Sequence, residues 1–186
     1  MPAAARTVLA LGDSLTAGYG LAGPEGFTEQ LERHLRAAGH DITVRNAGVS
    51  GDTSAGGRAR LGWALAEPAD LVIVELGAND GLRGLDPADT ERNLDAILTT
   101  LGNRDIPVLL TGMRAPPNMG KRYAAAFDSL FGRLAERHGV TFYPFFLDGV
   151  AAQPALNQRD GIHPNAKGVG IIVERIAPFV LRALEQ

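Results

Sequence analysis

The tetrapeptide Gly12-Asp13-Ser14-Leu15 directly follows the apolar run Thr7 to Leu11. That run reads as a buried strand, and in an open α/β sheet sites form in the crevice outside the carboxyl ends of the strands. Ser14 therefore stands where a nucleophile would stand. A serine hydroxyl is weak by itself and needs a general base within hydrogen-bond reach. The chain has 4 histidines. His34 falls inside a predicted helix, His40 sits in the turn Gly39-His40-Asp41, and His138 ends a helix before Gly139. All three read as surface residues. His163 differs, because Asp160 lies three residues upstream across a Gly-containing turn. A carboxylate there can hold Nδ1 and turn Nε2 toward a serine or a substrate. Pro164 keeps His163 out of helical geometry, as suits a residue presented at a rim.

Acyl transfer also needs donors for a developing oxyanion. Two segments offer them. Asn46 to Thr53 follows the second strand-like run, and its glycines let backbone N–H groups approach a ligand closely. Gly77-Ala78-Asn79-Asp80 follows the third, where the Asn79 amide is an uncharged donor. Each segment alone is ordinary turn chemistry. Together, four polar clusters end four strand-like runs, with one chemical role available to each.

The runs that would position them are Thr7 to Leu11, Ile42 to Val44, Leu71 to Leu76, Ile106 to Leu110 and Val140 to Tyr143. Several are continuous rather than alternating, as in a parallel sheet covered on both faces. Helical patterns lie between them. Gly26 to Ala38 carries Phe27, Leu31 and Leu35 at four-residue spacing. Asp86-Pro87 supplies an N-cap and a first-turn proline ahead of the stripe Leu94, Ile97, Leu98 and Leu101. Tyr123 to His138 stops at Gly139, and Asn165 to Leu184 closes the chain, with Pro178 expected to kink or restart it. The βαβα order predicts one domain over residues 1–186, a doubly wound three-layer α/β/α sandwich around a parallel five-stranded sheet.

Composition narrows the function. Hydrophobic residues make up 45% and charged residues 21%, an ordinary globular balance. A net charge of −3 gives no support to nucleic-acid binding. The absence of cysteine excludes disulfides, a thiol nucleophile and thiolate metal sites. With no His-Glu-x-x-His pattern and no histidine cluster, neither a metal nor a cofactor is expected. No apolar stretch reaches the length of a membrane span. The start, Met1 to Arg6, contains no apolar region of signal-peptide length.

At these residues the chain resembles the GDSL-type SGNH hydrolases. The matching segments are Gly12 to Leu15, Val49 to Thr53, Gly77 to Asp80 and Asp160 to His163. Val74 to Gly84, Pro144 to Phe146 and Asp160 to Asn165 are similar to the bacterial branch of acyl-CoA thioesterase I, lysophospholipase L1 and arylesterase. The resemblance spans essentially the whole chain and implies a flavodoxin-like fold. It implies that Ser14 is the nucleophile, His163 the general base and Asp160 the orienting carboxylate. The oxyanion donors it implies are the N–H groups of Ser14 and Gly51 and the Asn79 side chain. Asp13 is expected to support the turn. The implied activity is hydrolysis of small to medium acyl esters, aryl esters, thioesters or lysophospholipids through an acyl-enzyme. The alternative is a carbohydrate acetyl esterase with the same four-block site. The resemblance also implies a periplasmic or secreted location, with a cytoplasmic one as the alternative; a monomer or small homo-oligomer is expected.

Two rivals fit less well. Phosphoryl transfer at Asp13 would usually bring a second carboxylate two residues on, where Leu15 stands. A flavodoxin-like binding module leaves Asp160 and His163 unexplained. Leu82, Pro116, Pro117, Met119, Phe146 and Leu147 are the candidates for an apolar acyl groove, because loops decide which substrate such a site takes.

Overall fold

The computed structural model describes residues 5–186, so all but the last two residues of the Met1 to Arg6 segment lie outside it. Five strands form one parallel sheet: β1 (Arg6–Gly12), β2 (Ile42–Gly48), β3 (Leu71–Glu75), β4 (Val108–Thr111) and β5 (Thr141–Tyr143). Their order is β2-β1-β3-β4-β5. Seven α-helices alternate with them: α1 (Ser14–Ala17), α2 (Phe27–Ala37), α3 (Ser54–Ala64), α4 (Ala78–Leu82), α5 (Pro87–Gly102), α6 (Lys121–His138) and α7 (Ala166–Ala183). Helix α2 packs on α7, while α3 and α6 pack on α5 across the sheet, which gives the three layers.

The continuity of the apolar runs follows from this arrangement. Every residue of β3 is buried, as are the last five of β1. Covering the sheet on both faces takes each of these Val, Leu and Ile side chains out of water, worth roughly 1.5–3 kcal/mol apiece before the entropy of ordering them. The crossover from β1 to β2 on one side and to β3 on the other puts a switch point at the carboxyl ends of β1 and β3.

Three expectations need correction, and one helix had gone unread. Strand β2 runs to Gly48, so Asn46 to Gly48 belong to the sheet and only the remainder is loop. The segment 54–64 is helical although its pattern gave no sign of it. Gly56, Gly57 and Gly62 weaken its helix propensity, and Trp63 points outward, 76% exposed. Thr53 nevertheless caps it by accepting from the Gly56 N–H. Helix α7 runs through Pro178 without restarting. Pro178 lies on the exposed side, as does Glu174, whose carbonyl loses its helical donor there. Helices α5 and α6 also approach each other through His138, which bonds Asp95 at 2.8 Å and is less exposed than a plain surface residue.

Gly48 fixes how the Ser14 helix sits on the sheet. Any Cβ there would overlap the Ala17 nitrogen and stand 2.8 Å from the Ala17 Cα. These are backbone atoms with no rotamer to yield. Gly48→Ala is expected to destabilise the protein by roughly 1–3 kcal/mol, the usual result of overpacking. Urea unfolding measures it, and an unchanged midpoint would show that α1 does not rest on β2 this closely.

Candidate active site

Strand β1 ends at Gly12, Asp13 caps α1, and Ser14 is the first residue of that helix. The Asp13 Oδ1 accepts the Leu15 N–H at 3.0 Å. This turn lifts Ser14 to the crevice mouth, half-buried, where its Oγ lies 2.9 Å from His163 Nε2. On the far side of the ring, Nδ1 lies 2.7 Å from Asp160 Oδ2. An ionised carboxylate has no proton to give, so the imidazole proton belongs on Nδ1, and Nε2 is left to accept from Ser14. The Tyr19 ring lies over the imidazole at 4.6 Å between centroids.

The loop that presents His163 is tied down locally. Asp160 Oδ1 accepts the backbone N–H groups of Ile162 at 2.9 Å and His163 at 3.0 Å. Those donors, backbone first and then the imidazole, hold the Asp160 pKa down to about 2, so it is a carboxylate wherever the ring can act. Gln158 donates its amide to the carbonyls of Tyr19 at 2.7 Å and Pro164 at 3.0 Å. Its own N–H donates to the His163 carbonyl at 2.7 Å. Gln158 thus joins the His163 loop to the chain leaving α1. Sequence reasoning did not single out Gln158 or Tyr19, because neither spacing nor residue type marks them.

Asn79 lies in α4, just past β3, and lines the groove beside Ser14. Its Nδ2 donates to the Asp52 carbonyl at 2.8 Å and more loosely to Asp13 Oδ2 at 3.3 Å. Gly51 adopts φ +86°, a left-handed conformation that favours glycine. Its carbonyl accepts from Arg83 at 2.8 Å. Its N–H has no acceptor among the described residues.

Two buried acids lie beneath the turn that carries Ser14. Asp13 and Glu75 are both fully buried. The Glu75 Oε2 accepts the Thr16 hydroxyl at 2.7 Å and the Asp13 N–H at 3.3 Å, while Oε1 has no partner. Burial raises the Asp13 pKa to about 6 and drives that of Glu75 well above the usual carboxylate range, with the Asp13 charge adding to the rise. A lone carboxylate closing the apolar run Leu71 to Val74 was a sequence signal for Glu75 that went unused.

A groove of about 460 Å³ opens over Ser14, Asn79 and His163. Of the acyl-groove candidates, Leu82, Pro116, Pro117 and Leu147 line it, together with Leu15 and Phe145. Two candidates do not. Phe146 is 1% exposed and packs edge-on against Phe27, so its neighbour Phe145 faces the groove instead. Met119 turns its terminal methyl toward Gly84. Among the described residues that line it, Arg114 is the only Lys, Arg, Asp or Glu, its guanidinium lying 4.6 Å from the Phe145 ring centroid.

Residues 10–171 match the model of the GDSL-like Lipase/Acylhydrolase family. The chain is 44% identical over 178 residues to Esterase TesA of Pseudomonas aeruginosa, covering 95% of this chain and 88% of the relative. It is 40% identical over 176 residues to Thioesterase 1/protease 1/lysophospholipase L1 of Escherichia coli K12, covering 94% and 83%. The solved structure of AlinE4, an SGNH-hydrolase family esterase, superposes with a TM-score of 0.82 at 47% identity, covering 97% of both chains.

The buried acids make stability depend on pH in a definite direction. Their folded pKa values lie above their unfolded ones, so between the two the native state holds more protons. Their contribution is therefore fully present below the unfolded values and is lost as pH rises through about 6 and beyond. One such proton is worth up to ~1.4 kcal/mol per pH unit. Glu75→Gln keeps the shape and removes one titration, so its urea midpoint is expected to fall less than that of the wild type from pH 5 to 8. Parallel curves would mean that Glu75 is not held neutral.

Proposed function

The chain belongs to the GDSL-like lipase/acylhydrolase family, and from that premise we propose that its ester hydrolysis runs through Ser14 as nucleophile, His163 as general base and Asp160 as orienting carboxylate. It is a serine esterase, and the domain that carries this chemistry is proposed to be the whole chain. One observation carries the assignment: the unbroken chain of hydrogen bonds from Ser14 Oγ to His163 Nε2 at 2.9 Å and from Nδ1 to Asp160 at 2.7 Å.

The steps follow from that geometry. Ser14 Oγ attacks the ester carbonyl carbon as its proton passes to His163 Nε2. Negative charge develops on the carbonyl oxygen. The Ser14 N–H, in the first turn of α1 where no helical acceptor exists, is one donor for it. The free Gly51 N–H and the Asn79 Nδ2 are the others. The oxyanion competes for the Asn79 hydrogen that rests loosely on Asp13. Collapse of the intermediate breaks the ester bond, and the leaving group takes the proton from His163. Water then attacks the acyl-enzyme with His163 again as base, releasing the acid and restoring Ser14. Asp160 stays ionised throughout and stabilises the imidazolium.

The groove supports a small to medium acyl chain as the preferred group, carried on an alcohol, a phenol or a thiol. Its walls are mainly aliphatic and aromatic, and each buried methylene is worth about 0.8 kcal/mol. The resemblance to exported members of the family supports action in the periplasm or after secretion. Among the described residues no helix is long and apolar enough to cross a membrane.

Ser14→Ala is expected to fold normally and to lose most of its catalysis, on the order of a million-fold at most. Wild-type protein treated with diethyl nitrophenyl phosphate should carry its adduct on Ser14, read by peptide mass. An adduct on Ser50, Ser54 or Ser129 instead would overturn the assignment.

Across nitrophenyl esters of increasing acyl length, kcat/KM is expected to climb by up to about fourfold per methylene until the groove is filled. An acetylated sugar serves as the contrast substrate. Preference for it over every longer acyl ester would contradict the role of the apolar walls.

A further inference from the structure

The three donors proposed for the oxyanion come from separate segments: the turn after β1, the loop after β2, and α4 after β3. A single side chain outside the groove bonds the ends of the first two and, through Asp52, leads to the third. Arg60 lies in the second turn of α3, and each nitrogen of its guanidinium is used at the crevice. Nη2 donates to the Gly12 carbonyl at 2.8 Å, Nη1 to the Ala47 carbonyl at 2.8 Å, and Nε to Asp52 Oδ2 at 2.5 Å. Both ends of the Arg60–Asp52 ion pair are largely shielded, with side chains 17% and 18% exposed.

Each of those three acceptors leads to one of the proposed donors. Gly12 lies two residues before Ser14, and its carbonyl also accepts the Val49 N–H at 3.0 Å. Ala47 stands one residue from the end of β2, where the chain leaves the sheet toward Gly51. Asp52 follows Gly51 directly, and its carbonyl accepts Asn79 Nδ2 at 2.8 Å. The guanidinium therefore fixes the distances between the segments, whereas each strand fixes only its own. Arg60 does not line the groove and touches no reacting atom.

Building on the proposed reading of the site, we propose that Arg60 is a positioning residue that locks the Ser14, Gly51 and Asn79 donors into one frame. The residue type suits the task. A guanidinium presents its donors in a rigid plane and can satisfy three acceptors at once, whereas a lysine brings the same charge as a flexible point. Because Asp52 is paired with it, the charge is largely offset beside the site, and the effect on the oxyanion is one of placement. Misplacing donors by about 1 Å can cost on the order of a hundredfold in rate.

The test compares Arg60→Met and Arg60→Lys, each alone and combined with Asn79→Ala, by kcat, KM and urea midpoint. Both Arg60 variants are expected to lower kcat by about 10- to 100-fold with KM within about twofold. Asn79→Ala alone is expected to lower kcat by about 10²–10³. Combined with either Arg60 variant it should cost less than that, since Arg60 acts through the same donor and coupled residues are not additive. Losses that multiply would overturn the proposal, as would full activity in Arg60→Lys, which would leave charge rather than placement as the role. If Arg60→Met does not fold, Asp52→Asn serves in its place. It keeps the side-chain shape and weakens the ion pair alone. It should lower kcat several-fold at constant KM, and an unchanged kcat would overturn the proposal. Labelling of wild type separates the two levels of inference. An organophosphate adduct away from Ser14 defeats the reading of the site itself, whereas a Ser14 adduct with wild-type kcat in the Arg60 variants defeats only the frame.

Discussion

The crevice steps off a single row of the sheet, in which Gly12 lies beside Gly48 on one side and beside Glu75 on the other. Parallel strands leave their carboxyl ends at one edge, so the register of β1 against both neighbours sets where every later loop begins. Two residues beyond Gly12 comes Ser14. Three beyond Gly48 comes Gly51, and four beyond Glu75 comes Asn79. A slip of one residue in either pairing would turn a core-facing side chain toward the opposite face and carry its loop with it. The side chains of β1 and β3 are packed on both faces, so a slip would set each into a space shaped for its neighbour. The core therefore aligns the site, although no core side chain takes part in the chemistry.

The same row also carries a local cost. Glu75 and Asp13 are acids buried without a cation bonded to either, and Glu75 leaves one oxygen without a partner. An apolar residue at Glu75 would spare that desolvation, but it would leave the Thr16 hydroxyl and the Asp13 N–H without their acceptor. The protein holds an unfavourable group where it organises the turn bearing Ser14. This is the exchange of stability for geometry expected at a functional site rather than in a core.

Much of this was legible in the sequence, and for identifiable reasons. Leu71 to Val74 is a continuous apolar run, which only a strand covered on both faces requires. Three of the polar clusters stood out because each followed such a run, whereas Asp160 to His163 lies well past the end of β5, at no strand's end, and was marked only by its own spacing. What stayed hidden lacked a period or a local marker. Helix α3 carries three glycines and an outward Trp63, which blur its apolar stripe. Phe145 and Phe146 follow β5 in irregular backbone, where no alternation tells which ring faces the groove. Arg60 is one arginine among many, and its three acceptors lie 48, 13 and 8 residues away along the chain. Contacts of that kind are set by how strands and helices dock, which no short window of sequence records.

The hydrogen bond between Ser14 and His163 joins residues 149 apart in the chain. During synthesis the N-terminal part emerges first. The Ser14 turn therefore leaves the ribosome long before the loop that holds His163 and Asp160, which are made together. Under the proposed mechanism, a chain not yet extended to His163 carries the Ser14 hydroxyl with no base to take its proton. Helix α7, which follows His163 at once, closes against α2 near the other end of the molecule. On that mechanism reactivity waits until the Ser14 turn and the His163 loop meet, and labelling of Ser14 doubles as an assay for finished folding.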